Sequence, residues 1–299
     1  MARRLLTALT LAGVAALALT GCGTPAGVDG DLTDDWAPVA EPVALVPQAG
    51  DCHPRFEEVG YLHSYEPVDC GQSHKAETVH VGTFTGADAG LPAPPQPGSP
   101  GMKTARADCE KRINDTLGAP WRSGPMAVQV VLPSPQGWSG GARWYRCDVG
   151  QIRSLDDEDL VIRTGSLKGA LGDSSDIRYG CFQTTLVDGD ITEMKPVACT
   201  EKHKAEFVGV WDAPAGSYSA FSGDKERQNR ACRKLVAGYA KVPDDGNLRY
   251  RTGTIVYPPS PEDWENGSRG MKCFLWSSDK DLTRSMKGAG TAGLPINYA

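Results

Sequence analysis

Apolar and polar positions follow the same order twice along this chain. Two strand-like stretches, Thr78 to Phe84 and Phe207 to Trp211, carry Val79 and Val81 in one and Val208 and Val210 in the other. A helix is predicted over Lys103 to Leu117, where Ala105, Cys109, Ile113 and Leu117 recur on one face and Gly118 and Pro120 stop it. Its counterpart, Lys225 to Ala240, sets Cys232, Leu235, Val236 and Tyr239 on its apolar side. A strand follows each helix, Met126 to Leu132 and Thr252 to Tyr257. Pro135 and Trp138, then Pro261 and Trp264, predict a short helical turn capping the sheet. Tryptophan is highly buried on average, so core packing is favoured over an exposed binding spot.

The repetition extends to single residues. Cys52 and Cys70 bracket 17 residues, as do Cys181 and Cys199, and each second cysteine is followed by three residues and then His-Lys-Ala-Glu. His74 and Glu77 thus match His203 and Glu206, 129 positions on. Pro135, Trp138, Arg143 and Cys147 match Pro261, Trp264, Arg269 and Cys273 at an offset of 126. Ser166-Leu167-Lys168-Gly169 closes one copy and Ser285-Met286-Lys287-Gly288 the other. Each copy reads strand, strand, helix, strand, strand. The expected fold class is α+β, two tandem small domains, each an antiparallel sheet with one packed helix and two disulfides. The expected boundaries are 51–170 and 179–290, joined by a linker at 171–178 and followed by a tail at 291–299.

The first 22 residues have the layout of an export leader: Arg3 and Arg4, an apolar run from Leu5 to Leu19, then Leu19-Thr20-Gly21-Cys22. The last four resemble the bacterial lipobox, which implies a signal peptide over 1–21 and a diacylglyceryl group on Cys22. Two acyl chains anchor a protein stably, and the apolar run is short of a bilayer span. Residues 22–50 are acidic and proline-containing, the composition of a tether. The expected location is the extracytoplasmic face of the cell membrane. The chain carries 31 basic and 37 acidic residues, and removing the leader leaves 29 against 37. An acidic surface of that kind argues against a nucleic-acid partner.

Nine cysteines less Cys22 leave four per copy, an even number that in an exported chain predicts disulfides. Four cysteines allow three pairings. Cys109 on the apolar helix face and Cys147 on one strand face favour a bridge, as do Cys232 and Cys273, leaving Cys52–Cys70 and Cys181–Cys199. Zinc is the rival use of these residues. Cys-x-x-Cys is absent, however, and His53 and His80 are replaced by Phe182 and Gly209 in the second copy. No metal and no cofactor is expected. His74/Glu77 and His203/Glu206 form the repeated ionisable pair, the residues of a general base or of a binding site. No nucleophile or second acid repeats with them, so a structural use, with the histidine bonding backbone, is favoured. The loop from Leu91 to Gly101 holds five prolines, and its counterpart at Ala213 to Gly223 points to a spacer rather than a polyproline ligand.

As a set, the opening cysteine, Cys-x-x-x-His-x-Ala-Glu, the cysteine-bearing helix, Pro-x-x-Trp, the last cysteine strand and Leu/Met-Lys-Gly resemble the septum formation domain of actinobacterial envelope proteins. The resemblance implies two such domains and a role in division or envelope assembly, and it brings no catalytic residues. The expected function is a non-enzymatic binding or scaffold lipoprotein, its partner an envelope protein or wall component. A wall-hydrolase-like enzyme using the His/Glu pair is the alternative.

Overall fold

The computed structural model describes residues 44–173 and 175–297. Cys22, the expected leader and most of the expected tether lie outside the described residues. The first half contains β1 (Cys52–His53), β2 (Val59–Gly60), β3 (Ala76–Thr83), α1 (Gly86–Ala89), α2 (Pro100–Leu117), β4 (Met126–Pro133), α3 (Pro135–Ser139) and β5 (Trp144–Gln151). The second contains β6 (Cys181–Val187), β7 (Asp190–Val197), β8 (Ala205–Asp212), α4 (Tyr218–Gly223), α5 (Lys225–Ala240), β9 (Gly253–Tyr257), α6 (Pro261–Glu265), β10 (Gly270–Trp276) and α7 (Gly290–Gly293).

Each half builds a five-stranded sheet, ordered β1-β3-β5-β4-β2 in the first and β7-β6-β8-β10-β9 in the second. Four strands correspond, β1-β3-β5-β4 to β6-β8-β10-β9, and all their pairings are antiparallel. The fifth strand differs. In the second half β6 and β7 form a hairpin whose turn, Asp188-Gly189, has positive φ at both residues (53° and 90°). In the first half Pro54 stands where the second has Gln183, and it cannot donate to a ladder. The chain crosses to the opposite edge, where β2 pairs with β4 in parallel, Val59 against Leu132. The expectation of a wholly antiparallel sheet is corrected there.

Both helices are capped by their own sequence. α2 starts three residues before the predicted Lys103, because Pro100 fits its first turn and the Ser99 hydroxyl accepts from the Met102 amide at 3.3 Å. It ends on Gly118 in the left-handed region. Asp224 caps α5 through the Arg227 amide at 2.9 Å. Apolar residues of α2 pack on the sheet with Val128, Val130, Cys147 and Val149, and those of α5 pack likewise in their half. Cys109–Cys147 and Cys232–Cys273 tie each helix to its sheet, while Cys52–Cys70 ties β1 to the segment before β3 and Cys181–Cys199 ties β6 to the segment before β8.

The Pro-x-x-Trp turns form where predicted. Trp138 is 1% exposed and Trp264 4%. Each indole N–H donates into the preceding loop, to Leu91 O at 2.7 Å and to Gly216 O at 2.8 Å. The repeated arginines lie over these rings, Arg143 at 4.2 Å and Arg269 at 5.5 Å. Segments outside the sheets are also packed. Leu171 joins the first core, Leu294 the second, and Trp144 donates to Leu45 O at 2.7 Å.

Candidate functional site

The repeated His-x-x-Glu residues occupy the same place in both halves. His74 and His203 exchange backbone hydrogen bonds with the returning chain, at Arg163 and Leu282. Their Nδ1 atoms lie 2.8 Å from Gln72 O and Glu201 O. Glu77 accepts from Ser166 Oγ at 2.7 Å and from the Leu167 amide at 2.6 Å. Glu206 accepts from Ser285 Oγ at 2.9 Å, the Met286 amide at 2.7 Å and Tyr239 OH at 2.7 Å, and it faces His203 Nε2 at 3.1 Å.

The closing tetrapeptide is thereby explained residue by residue. Its serine and the next amide bind the glutamate, Leu167 or Met286 fills the core, and the glycine turns with positive φ. The Gly169 and Gly288 amides then donate at 2.8 Å to Thr116 O and Tyr239 O in the last turns of α2 and α5. Glutamate and closing motif form one clamp. His203 and Glu206 are fully buried and His74 is 1% exposed, so no open cleft reaches these imidazoles. Among the described residues one group of metal-ligating atoms converges, on Cys181, His203 and Glu206, but the Cys181 sulphur is bonded to Cys199.

The halves differ on the sheet face turned away from the helix. In the first, His53, Thr78, Arg146 and Asp148 lie there, each at most 2% exposed. Thr78 Oγ1 donates to Asp148 at 2.8 Å and accepts from His53 Nε2 at 2.9 Å. Arg146 Nη2 pairs with Asp148 at 2.7 Å and Glu57 at 3.1 Å. Burial and then the Arg146 charge push His53 down to about 4, while burial pushes Asp148 up to about 6 against the pull of Arg146. This is not a hydrolytic triad: the threonine proton points at the aspartate, and the imidazole donates to the hydroxyl instead of accepting from it. In the second half the same four positions are Phe182, Phe207, Lys272 and Phe274. Phe182 and Phe207 pack on Phe274 at 5.5 and 5.4 Å, with Tyr179 and Tyr257 around them. Leu155, contributed by the first half, completes this cluster.

A charged joint links the halves. Arg106 on α2 reaches Asp263 on α6 at 2.6 Å and Glu110 at 3.2 Å. Arg122 reaches Glu110 at 3.2 Å and stacks on Trp121 at 3.9 Å. Ser268 donates to Glu110 and accepts from Arg122. Burial alone would raise the Glu110 carboxyl, but the Arg122 and Arg106 guanidiniums outweigh it and hold the group below the usual range. The counterparts of Arg106 and Glu110 are Asn229 and Arg233, so the device belongs to the pair of halves and not to the repeated unit.

Beside this joint lies a cleft of about 350 Å³, walled by Phe56, Ile152 and Leu160 from the first half and Tyr257, Pro258 and Pro259 from the second. Lys272 lines it. Where its counterpart Arg146 has two carboxylate partners, Lys272 has none within 4 Å among the described residues, and Phe274 stands in the place of Asp148.

The family model for septum formation matches residues 49–273, three quarters of the chain and parts of both halves. The chain belongs to the septum formation family. No curated protein and no solved structure matches it. The sequence singled out His74, Glu77, His203 and Glu206 of this family member, and the structure places each pair at a buried clamp, 129 residues apart and never together. Neither the joint nor Lys272 was found from sequence, because both differ between the copies and so left no repeated signal. The replacement of Arg146 and Asp148 by Lys272 and Phe274 was the available sign. Among the described residues no helix is long and apolar enough to cross a membrane.

Proposed function

We propose that this septum formation protein is a non-enzymatic binding or scaffold lipoprotein, held by a diacylglyceryl group on Cys22 at the outer face of the cytoplasmic membrane. Its partner on this reading is an envelope protein or wall component at the forming septum. The observation that carries the reading is the fate of the repeated ionisable residues. His74, Glu77, His203 and Glu206 are all buried: Glu77 and Glu206 spend their hydrogen bonds on holding the chain's own closing turns, and the His74 and His203 rings set Nδ1 against the backbone oxygens of Gln72 and Glu201. General acid–base work needs a group within reach of a substrate proton, and these groups face protein. The disulfide in each helix–sheet contact and the charged joint hold two surfaces in a fixed relation, which suits a module that presents them together. Cross-linking and affinity capture of the full chain from envelope tests the proposal. Repeated recovery of one defined envelope component supports it. Recovery of none, or turnover of wall material by the purified protein, overturns it.

A further inference from the structure

We infer that the cleft between the halves is a binding site for a zwitterionic, peptide-like ligand, its carboxylate on Lys272 and its cationic end toward Glu158 and Glu262. The inference goes beyond the scaffold reading, and its failure would leave that reading intact.

Lys272 stands on β10, a central strand of the second sheet, with its Nζ 5.9 Å from the Tyr179 ring. A half-buried ammonium on an interior strand is best satisfied by a carboxylate, as the fully buried Arg146 is at the matching position of the first half. The charged groups around Lys272 are Arg122 from the turn after α2, Glu158 from the segment after β5, and Asp263 from α6. Arg122 and Asp263 are already engaged, by Glu110 and Arg106. Burial, followed by the Arg122 charge, lowers the Lys272 ammonium to about 8, so a ligand anion would relieve a standing electrostatic deficit. The acids Glu158 and Glu262 line the same cleft, are exposed, and have no ion-pair partner among the described residues. They disfavour a multiply charged anion and favour a ligand that brings its own positive charge. The volume is at the small end of ligand sites, and the aromatic, leucine and proline walls suit a short peptide with an apolar side chain.

The test is acetylation of the full chain with acetic anhydride at pH 8, with the extent at each lysine read by mass spectrometry. An amine of pKa about 8 is half neutral there, so Lys272 acetylates roughly 100-fold faster than lysines of ordinary pKa, allowing equal access. Glycyl-leucine at about 50 mM slows labelling at Lys272 by roughly tenfold relative to the other lysines, whose common decrease reports the anhydride consumed by the dipeptide's own amine, an occupancy set by a Kd of about 5 mM. Acetate protects less and inorganic phosphate less again. Binding of glycyl-leucine followed by NMR disappears in Lys272→Gln and weakens in a Glu158→Gln, Glu262→Gln double variant, both with wild-type disulfides. Labelling of Lys272 that stays unchanged relative to the other lysines with glycyl-leucine overturns the inference, as does equal relative protection by all three probes.

Discussion

Replacing Glu206 by alanine removes the acceptor at the centre of the second clamp. Four donors lose their partner: Ser285 Oγ, the Met286 amide, Tyr239 OH and His203 Nε2. The two hydroxyls can turn toward each other, since they already lie 3.1 Å apart. The Met286 amide and the His203 ring cannot reorient, and both are buried. At about 1–3 kcal/mol for each buried donor left unsatisfied, the loss is about 4 kcal/mol. Glu77→Ala strands only the Leu167 amide in the same way, for about 2 kcal/mol. Equilibrium unfolding in guanidinium with the disulfides intact measures both losses. Hydrogen exchange adds the location: protection of the Met286 and Gly288 amides falls in Glu206→Ala while that of Leu167 holds. The clamp reasoning is refuted if Glu206→Ala costs less than about 1 kcal/mol, or no more than Glu77→Ala, with the Met286 amide still protected.

Other expectations follow from the same geometry. His53 has a folded pKa of about 4 against 6.5, so the unfolded chain takes up its proton first and stability falls as pH drops through that window. Asp148, raised to about 6 from 3.8, acts in the opposite sense and gains stability as pH falls below 6. Urea titrations from pH 7 to 4 should therefore show Asp148→Asn more acid-sensitive than wild type and His53→Phe less so. Lys272, lowered to about 8 from 10.5, costs stability at pH 7 because the folded protein binds its proton more weakly than the unfolded chain. Lys272→Met raises the thermal midpoint, by about 1–3 kcal/mol in stability, and the gain shrinks as pH rises from 8 to 10.5. Glu110→Ala leaves Arg122 without its carboxylate and costs about 3 kcal/mol, with limited proteolysis between residues 152 and 180 as its sign. Removing Cys109–Cys147, a closure of 38 residues, costs about 4 kcal/mol against about 3 for Cys181–Cys199, a closure of 18.

What repeats in this chain was legible, and what does not repeat was hidden. Cys109 and Cys147 announce their bridge because helix and strand periodicity set both on facing surfaces. Trp138 and Trp264 could be assigned to the core from residue type alone. The link between Glu77 and the Ser166-Leu167 turn spans 89 and 90 residues. Both partners were visible as repeats, but no local pattern tells one that it binds the other. The parallel β2–β4 edge was missed because two-residue strands have no measurable period. The joint is further from reach still. Arg106 and Glu110 look like an ordinary helical pair at i and i+4, and only tertiary structure brings Asp263 and Ser268 to them.

On the proposed function the repeated histidines serve the fold, and partner binding belongs to surfaces the two halves share. Cells of the source organism carrying His74→Asn and His203→Asn together, scored for septum placement against the amount of oxidised, folded protein in the membrane, test it most directly. Septation is expected to track folded protein along the same line as wild type expressed at matching levels. Abundant folded protein with four intact disulfides and failed septation would contradict it, and would return the two imidazoles to chemistry.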